Sequence, residues 1–445
     1  MTVITRFAPS PTGHLHVGNL RVAIANALVS KCLEGRFILR YDDTDTDRSS
    51  DEFIHSIAND LKWLGIDWDQ EVYQSARSKM YKEAADHLRG LGLLYPCYET
   101  REELEISRNR MLALGKPPVY NRAAMDLSAK QRREFEDAGR RPHWRFRLEG
   151  DFATWVDAVR GEQKLSTDSL SDPILIREDG TFLYTLPSVV DDMSLGITHV
   201  IRGEDHVTNT AVQIQLIKAL SGDINLIKFA HLPLLTDSTG GPLSKRISSL
   251  GIKYFKDNEI EPIVLYSFLA FLGTSSNIKP IYRLDNLYNS FDLKNISRNP
   301  PKFNESDLLS LNVKYLRDAP FSLIKNKLGI SEVDENFWLV IRENIKTISE
   351  VQYWWQVCNG SINSIISESE YLLIASVLLP EGNWDEETFG NWIEKLKNKT
   401  GRKGKDLYQP LRLAITGCGD GPELKSLLPF IGYDKTVRRL KGDKV

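Results

Sequence analysis

Four cysteines in 445 residues, Cys32, Cys97, Cys358 and Cys418, stand far apart with no Cys-x-x-Cys pair. That scarcity argues against a disulfide framework and against a metal cluster of recognisable spacing, and it fits a reducing compartment. Long apolar runs are also missing. The longest, Pro262 to Leu272, is well short of the roughly 20 residues that cross a bilayer, so the expectation is a buried helix and no membrane span. Residues Met1 to Arg6 show no basic leader followed by an apolar stretch and a cleavage site, which makes a cytoplasmic location the expected one. Low-complexity tracts and internal repeats are absent, which argues against disorder. With a net charge of −3, no overall excess of either sign points to or excludes nucleic acid, so local charge has to decide.

What is present describes a folded protein of several domains. The apolar fraction is 41% and the charged fraction 26%, and the length calls for about two to four separate cores. Val3 to Phe7 reads as a strand, the Pro/Gly turn after it leads into a helical spacing from Val17 to Leu33, and Arg36 to Tyr41 reads as a second strand. Such an opening predicts an α/β fold, a Rossmann-type doubly wound parallel sheet. An Arg-dense stretch from about Tyr98 reads as an inserted α+β domain. Sheet-like sequence resumes at Leu183-Tyr184-Thr185-Leu186 and Thr198 to Ile201, followed by a helix near Asn209 to Leu220 and a strand near Phe229 to Leu235. Beyond Gly251 the pattern is helical, predicting an all-helical C-terminal half. The boundaries expected are 1–97 and 184–240 for the two halves of the catalytic domain, 98–183 for the insertion, 241–310 for a connecting region and 311–445 for the helical part.

Two segments carry chemistry. In Pro9-Ser10-Pro11-Thr12-Gly13-His14-Leu15-His16-Val17-Gly18, a glycine turn meets a helix start, where backbone N–H groups and the helix dipole favour phosphate. His16 supplies a ring N–H for charge that builds up on a phosphoryl oxygen, Asn19 an amide donor, and Gly18 room for a nucleotide. About 230 residues later, Gly240-Gly241-Pro242-Leu243-Ser244-Lys245-Arg246 places a hydroxyl and two cations in a glycine-hinged loop suited to a leaving pyrophosphate. Read alone, each is a common surface feature.

Together they match the HIGH and KMSKR signatures of class I aminoacyl-tRNA synthetases. With Arg6 to Gly13, Asp43-Thr44-Asp45, Val190-Asp191-Asp192 and Val200 to Asp205 in the same order, the chain resembles bacterial glutamyl-tRNA synthetases through about residue 310. Three positions depart from that pattern: Asn19 replaces the second His of HIGH, Pro242 the first Lys of KMSKR, and Asp42 a Glu.

The resemblance implies activation of L-glutamate by ATP, with Mg2+, to the adenylate and transfer to tRNA(Glu), with tRNA(Gln) open as a second acceptor. It implies catalytic roles for His16, Asn19, Ser244 and Lys245, and ATP contacts at Gly13, Gly18, Asp205, Lys245 and Arg246. It places Arg6, Ala8, Ser10, Asp42, Tyr184 and Arg202 around glutamate, with Arg6 and Arg202 on the side-chain carboxylate, for which a guanidinium fork is the best partner. Region 241–310 becomes the KMSKR loop and stem-contact region, the insertion an acceptor-arm surface, and the helical part an anticodon-binding domain in which Lys395 to Lys405 holds six Lys/Arg. Some relatives hold zinc in the insertion, but Cys97, with Tyr120 to Ala123 further on, cannot make a tetrahedral set, so no metal is expected. A monomer is the default for this resemblance. A tRNA-modifying glutamyl-transferase of the same superfamily lacks the helical half, and a non-catalytic tRNA-binding homologue would not need His16, Arg6, Arg202 and Lys245 together. Asp43-x-Asp45 also suggests an aspartyl-nucleophile phosphatase, but Asp47 stands where that motif has Thr or Val.

Overall fold

The computed structural model describes residues 2–443 apart from 46, 224, 242, 244–250 and 383. The chain forms two compact units, Met1–Phe255 with Leu265–Glu305, and Lys256–Val264 with Ser306–Val445.

Among the described residues, ten strands lie in the first unit: β1 Ile4–Phe7, β2 Arg36–Tyr41, β3 Gln70–Tyr73, β4 Leu94–Cys97, β5 His143–Phe146, β6 Phe152–Asp157, β7 Gly161–Ser166, β8 Ile174–Ile176, β9 His199–Gly203 and β10 Lys228–Leu232. Seven of them form one sheet in the order β3-β2-β1-β9-β10-β6-β7, parallel except for the β6–β7 hairpin. Phe37, Ile38, Leu39, Val200 and Ile201 are buried, as expected for central parallel strands covered on both faces. The strand order reverses between β1 and β9, so a crevice opens at their carboxyl ends, where open α/β sheets bind ligands.

Helix α1, Val17–Cys32, follows β1 and is buried on most of its circumference. Leu20, Ile24 and Leu28 are each fully buried, worth about 1.5–3 kcal/mol apiece and together more than any single cap, so packing rather than propensity holds this helix. At its end Gly35 is required by space, since a Cβ there would lie 2.2 Å from the Val3 carbonyl oxygen.

Two strand pairings cross the expected segment limits, and one expected element needs correction. The insertion expected at 98–183 is not separate from the main sheet: β6 pairs with β10 and β7 with β6, because the alternation in Phe152 to Asp157 leaves one face to bury. The small antiparallel sheet β4-β5-β8 begins at Leu94, inside the segment assigned to the first catalytic half. Leu183 to Leu186, read as sheet-like, instead leads into the helix Thr185–Ser194; the buried Leu186, Val189 and Val190 pack with Val200 and Phe229 on the sheet, and tertiary burial overrides β propensity.

In the described residues of the second unit there are helices and no strands, including Ser349–Asn359, Ser369–Val377, Glu386–Thr400, Lys405–Thr416, Leu424–Ile431 and Tyr433–Lys441. Its core holds Phe337, Trp338, Trp392, Leu411 and Leu428. Both tryptophans satisfy their indole N–H on a backbone carbonyl, Trp338 on Ala319 at 3.1 Å and Trp392 on Ala375 at 3.0 Å. The fully buried Arg439 donates to the carbonyls of Ile415 and Gly360 at 2.8 and 3.0 Å. The Lys395 to Lys405 run spans the end of one helix and the start of the next.

Candidate active site

The N-terminus of α1 is capped by a histidine. His16 Nδ1 accepts the backbone N–H of Gly18 at 3.1 Å and of Asn19 at 3.4 Å, and Asn19 Oδ1 accepts the N–H of His16 at 3.2 Å. This reciprocal pair satisfies donors that a helix start otherwise leaves orphaned. It also decides the tautomer, because an accepting Nδ1 puts the hydrogen of neutral imidazole on Nε2. Partial burial lowers the His16 pKa and favours that neutral form. Asn19 Oδ1 is occupied by the cap, leaving its amide hydrogens to donate outward. Gly18 has a different task from the one expected: a Cβ there would sit 3.0 Å from His16 Cε1, so its first duty is to make room for the capping ring.

Deeper in the crevice, four side chains form a buried network. Arg6 on β1 donates from Nε and Nη2 to Asp192 at 3.0 and 3.4 Å; Arg40 on β2 donates to Asp42 at 2.7 and 3.2 Å and to Asp192 at 2.7 Å. Burial works against the Asp192 charge, but Arg6 and Arg40 outweigh it and hold the carboxyl below its usual range. For Asp42, burial outweighs Arg40 and pushes the carboxyl up. Arg6 also draws the Asp42 carboxyl down, but less than Arg40 does and without a hydrogen bond to it among the described residues.

Arg202 on β9 is buried as well, yet its partners are all neutral. It donates to Tyr184 Oη at 3.0 Å, Thr210 Oγ1 at 2.6 Å, Gln213 Oε1 at 2.6 Å and His231 Nε2 at 3.3 Å. Burial lowers its pKa. Among the described residues no carboxylate bonds it, and a buried unpaired guanidinium is costly unless a ligand completes it.

A cavity of about 640 Å³ joins these parts. Arg6, Ala8, Ser10, Gly13, His16, Gly18, Asn19, Asp42, Tyr184, Arg202 and Asp205 all line it, so every sequence-derived site residue that the structure describes falls in one place. Ser244, Lys245 and Arg246 lie outside the described residues, as does Pro242. Arg40, Asp192 and His231, which do not line the cavity but bond residues that do, were not singled out by sequence reasoning. Asp192 was legible only as part of a motif, and Arg40 only as the residue two before Asp42, on the same face of a strand.

Comparison with known proteins decides the family. Residues 2–310 match the family "tRNA synthetases class I (E and Q), catalytic domain", and residues 370–442 an anticodon binding domain. The chain belongs to the class I synthetases for glutamate and glutamine. Among its relatives, glutamate–tRNA ligase 2 of Methylobacterium sp. is 48% identical over all of both chains, and glutamate–tRNA ligase 1 of Maricaulis maris is 46% identical over 98% of this chain and 99% of its own. The crystal structure of a glutamate tRNA ligase from Elizabethkingia meningosepticum, in complex with its amino acid, superposes with a TM-score of 0.86 at 25% identity, covering 99% of this chain and 98% of its own.

Zinc, which the insertion of some class I synthetases of this type holds, can be tested against the residues present. Donor atoms of Cys97, Glu99 and His143 lie within 4.8 Å of one another, the one such group among the described residues; His143 was not foreseen from the sequence. Burial pushes the Cys97 thiol up to about 12, so it is protonated, and Tyr120 Oη bonds both its sulfur at 3.7 Å and Glu99 Oε1 at 2.6 Å. The Arg145 guanidinium lies 4.1 Å from the Tyr120 ring centroid and, after burial, is the second cause that lowers His143, to about 4. His143 Nε2 and Glu99 Oε2 are buried without a partner. Cys97, Glu99 and His143 are three donors with a single thiol, one short of the four protein ligands of a structural tetrahedral zinc site. In this synthetase the cluster fits a hydrogen-bonded polar core. No helix among the described residues is long and apolar enough to cross a membrane.

Proposed function

We propose that the chain is a glutamate–tRNA ligase, which activates L-glutamate with ATP and transfers it to the 3′-terminal adenosine of tRNA(Glu). The observation that carries this reading is Arg202, a buried guanidinium in the cavity wall whose every bonded partner is neutral. Of its five N–H donors, the Nε hydrogen and both Nη2 hydrogens are taken, and one Nη1 hydrogen goes to Tyr184. That leaves one Nη1–H, and the Tyr184 hydroxyl, having accepted from Arg202, still has its own hydrogen to give. Two donors side by side suit one carboxylate. Glutamine would leave the guanidinium charge unpaired, at a cost of several kcal/mol.

In this reading the Asp42 carboxylate takes the substrate ammonium. The α-carboxylate of glutamate attacks the α-phosphorus of Mg-ATP, forming the P–O bond of the adenylate as the bond to pyrophosphate breaks. His16, through Nε2–H, and the amide of Asn19 stabilise charge on the phosphoryl oxygens, while Gly13 and Asp205 line the nucleotide side and Lys245, with Ser244 and Arg246, holds the leaving pyrophosphate. A ribose hydroxyl of the tRNA terminus then attacks the acyl carbon and releases AMP. Named relatives over the full length and the match to an anticodon binding domain at 370–442 support this over the shorter tRNA-modifying glutamyl-transferase. A cytoplasmic monomer without zinc, using magnesium with its ATP, completes the proposal.

The test is glutamate-dependent ATP–pyrophosphate exchange and acylation with purified protein and both tRNA(Glu) and tRNA(Gln). Charging of tRNA(Glu) is expected, and charging of tRNA(Gln) would define a wider acceptor range. Absence of exchange with either tRNA would sink the assignment.

A further inference from the structure

Behind Arg202 lies a chain of buried groups that touches no part of the cavity. Asp157, at the end of β6, bonds His231 on β10 with 2.5 Å between Oδ2 and Nδ1, and His231 Nε2 receives the Nε–H of Arg202. Both residues are almost completely buried. The other Asp157 oxygen, Oδ1, accepts three backbone N–H groups, from Val159 at 3.0 Å, Arg160 at 2.9 Å and His231 at 3.2 Å. Those three bonds fix the carboxylate rotamer, so Oδ2 has one task, the His231 ring.

We infer that Asp157 and His231 are positioning residues for the glutamate site: Asp157 sets the imidazole tautomer, and the imidazole holds the Arg202 fork in the direction that presents its last Nη1–H to the substrate. A carboxylate facing Nδ1 requires Nδ1–H, which leaves Nε2 as a lone-pair acceptor for a guanidinium that can only donate. In the opposite tautomer two N–H groups would face each other at 3.3 Å. Thr210 braces the same corner, with its hydroxyl 2.9 Å from His231 Nε2 and 2.6 Å from Arg202 Nη2. A strand from the region expected to be an insertion thereby reaches the amino-acid pocket through the sheet.

The inference rests on the reading of Arg202 as the glutamate ligand, so the experiment includes it. Asp157→Asn is close to isosteric. Because Oδ1 is held by three N–H donors, the new amide nitrogen must occupy the Oδ2 position and donate to Nδ1, which forces the hydrogen onto Nε2. Steady-state tRNA(Glu) acylation should then show a KM for glutamate raised about ten- to a hundredfold, the loss expected for one bond to a charged group, with the KM for ATP within about twofold of wild type. Because Asp157 acts through the imidazole, Asp157→Asn combined with His231→Gln should be no worse than His231→Gln alone, a non-additivity that general destabilisation does not produce. A measurement on the unmutated protein stands beside these: 15N NMR of histidine-labelled protein should report His231 as the Nδ1–H tautomer. An Nε2–H tautomer, or a glutamate KM unchanged in Asp157→Asn while Arg202→Gln raises it, would overturn the inference alone. If Arg202→Gln also leaves the glutamate KM unchanged, the reading of the pocket falls with it.

Discussion

Asp42 takes two hydrogen bonds from Arg40, the residue two positions before it, at 2.7 and 3.2 Å. The two share a face because side chains alternate along an extended chain. Arg40 is fully buried and bonds Asp192 as well, so Asp42 is both a support of the pocket floor and a candidate partner for the substrate ammonium. The two tasks can be separated by substitution.

Asp42→Ala removes one of the two carboxylates that neutralise Arg40 and should cost about 3–5 kcal/mol, read as a lower urea midpoint. Asp42→Asn keeps a hydrogen-bond acceptor and should cost less stability, yet raise the KM for glutamate by about tenfold through the lost ammonium contact. A KM unchanged in the Asn variant would take Asp42 out of the substrate contacts.

For His16, capping and catalysis should part company in His16→Asn. Asparagine is a good N-cap, so the unfolding midpoint should stay near that of wild type, whereas losing the Nε2–H should lower kcat by about 10²–10³. Gly18→Ala, whose Cβ would press on His16 Cε1 at 3.0 Å, should lower kcat by displacing the ring. A His16→Asn enzyme with full kcat would leave the histidine as a cap and nothing more.

Burial first, and then Arg145, depress His143 to about 4, against about 6.5 in an unfolded chain. Between those values the unfolded state binds a proton that the native state does not, so stability is full above about pH 6.5, declines as pH falls and levels off below about 4. The contribution is on the order of 3 kcal/mol. Urea unfolding at pH 7.5 and pH 5 should show a smaller acid loss for His143→Gln than for wild type; equal losses would remove His143 as the cause.

Metal content is the fourth measurement. Protein purified without added metal and analysed by atomic absorption should carry far less than about one equivalent of zinc, since among the described residues the metal-ligating group at Cys97 has three members, with Glu99 and His143. Stoichiometric zinc that is lost in Cys97→Ser would show that the polar cluster is a metal site after all.

Much of the site was legible because its pieces are contiguous. His16, Asn19 and the glycine turn form a local motif, and their mutual hydrogen bonds span only two or three residues. Arg6 and Arg202 were named through the family resemblance, and both line the cavity. The opening strands and α1 were readable from periodicity. Reading failed where pattern and partnership diverged: Leu183 to Leu186 carries β-type residues but leads into a helix, and β6 and β7 were assigned to an insertion because Arg-rich sequence surrounds them.

By itself the sequence determined the elements whose causes are local: the cap on α1, the Gly35 turn, the phosphate-handling segments and the residue types available to a dianionic substrate. Tertiary structure alone decided who pairs with whom. Arg6 meets Asp192 of the helix Thr185–Ser194 across 186 positions, and His231 meets Asp157 across 74 because the strand order places β6 beside β10. A side chain carries its own charge wherever it stands, but whether a guanidinium is already neutralised depends on which strands lie next to it. Arg6 and Arg202 look alike in sequence. Only the folded sheet shows that Arg6 has a carboxylate of its own and that Arg202 lacks one.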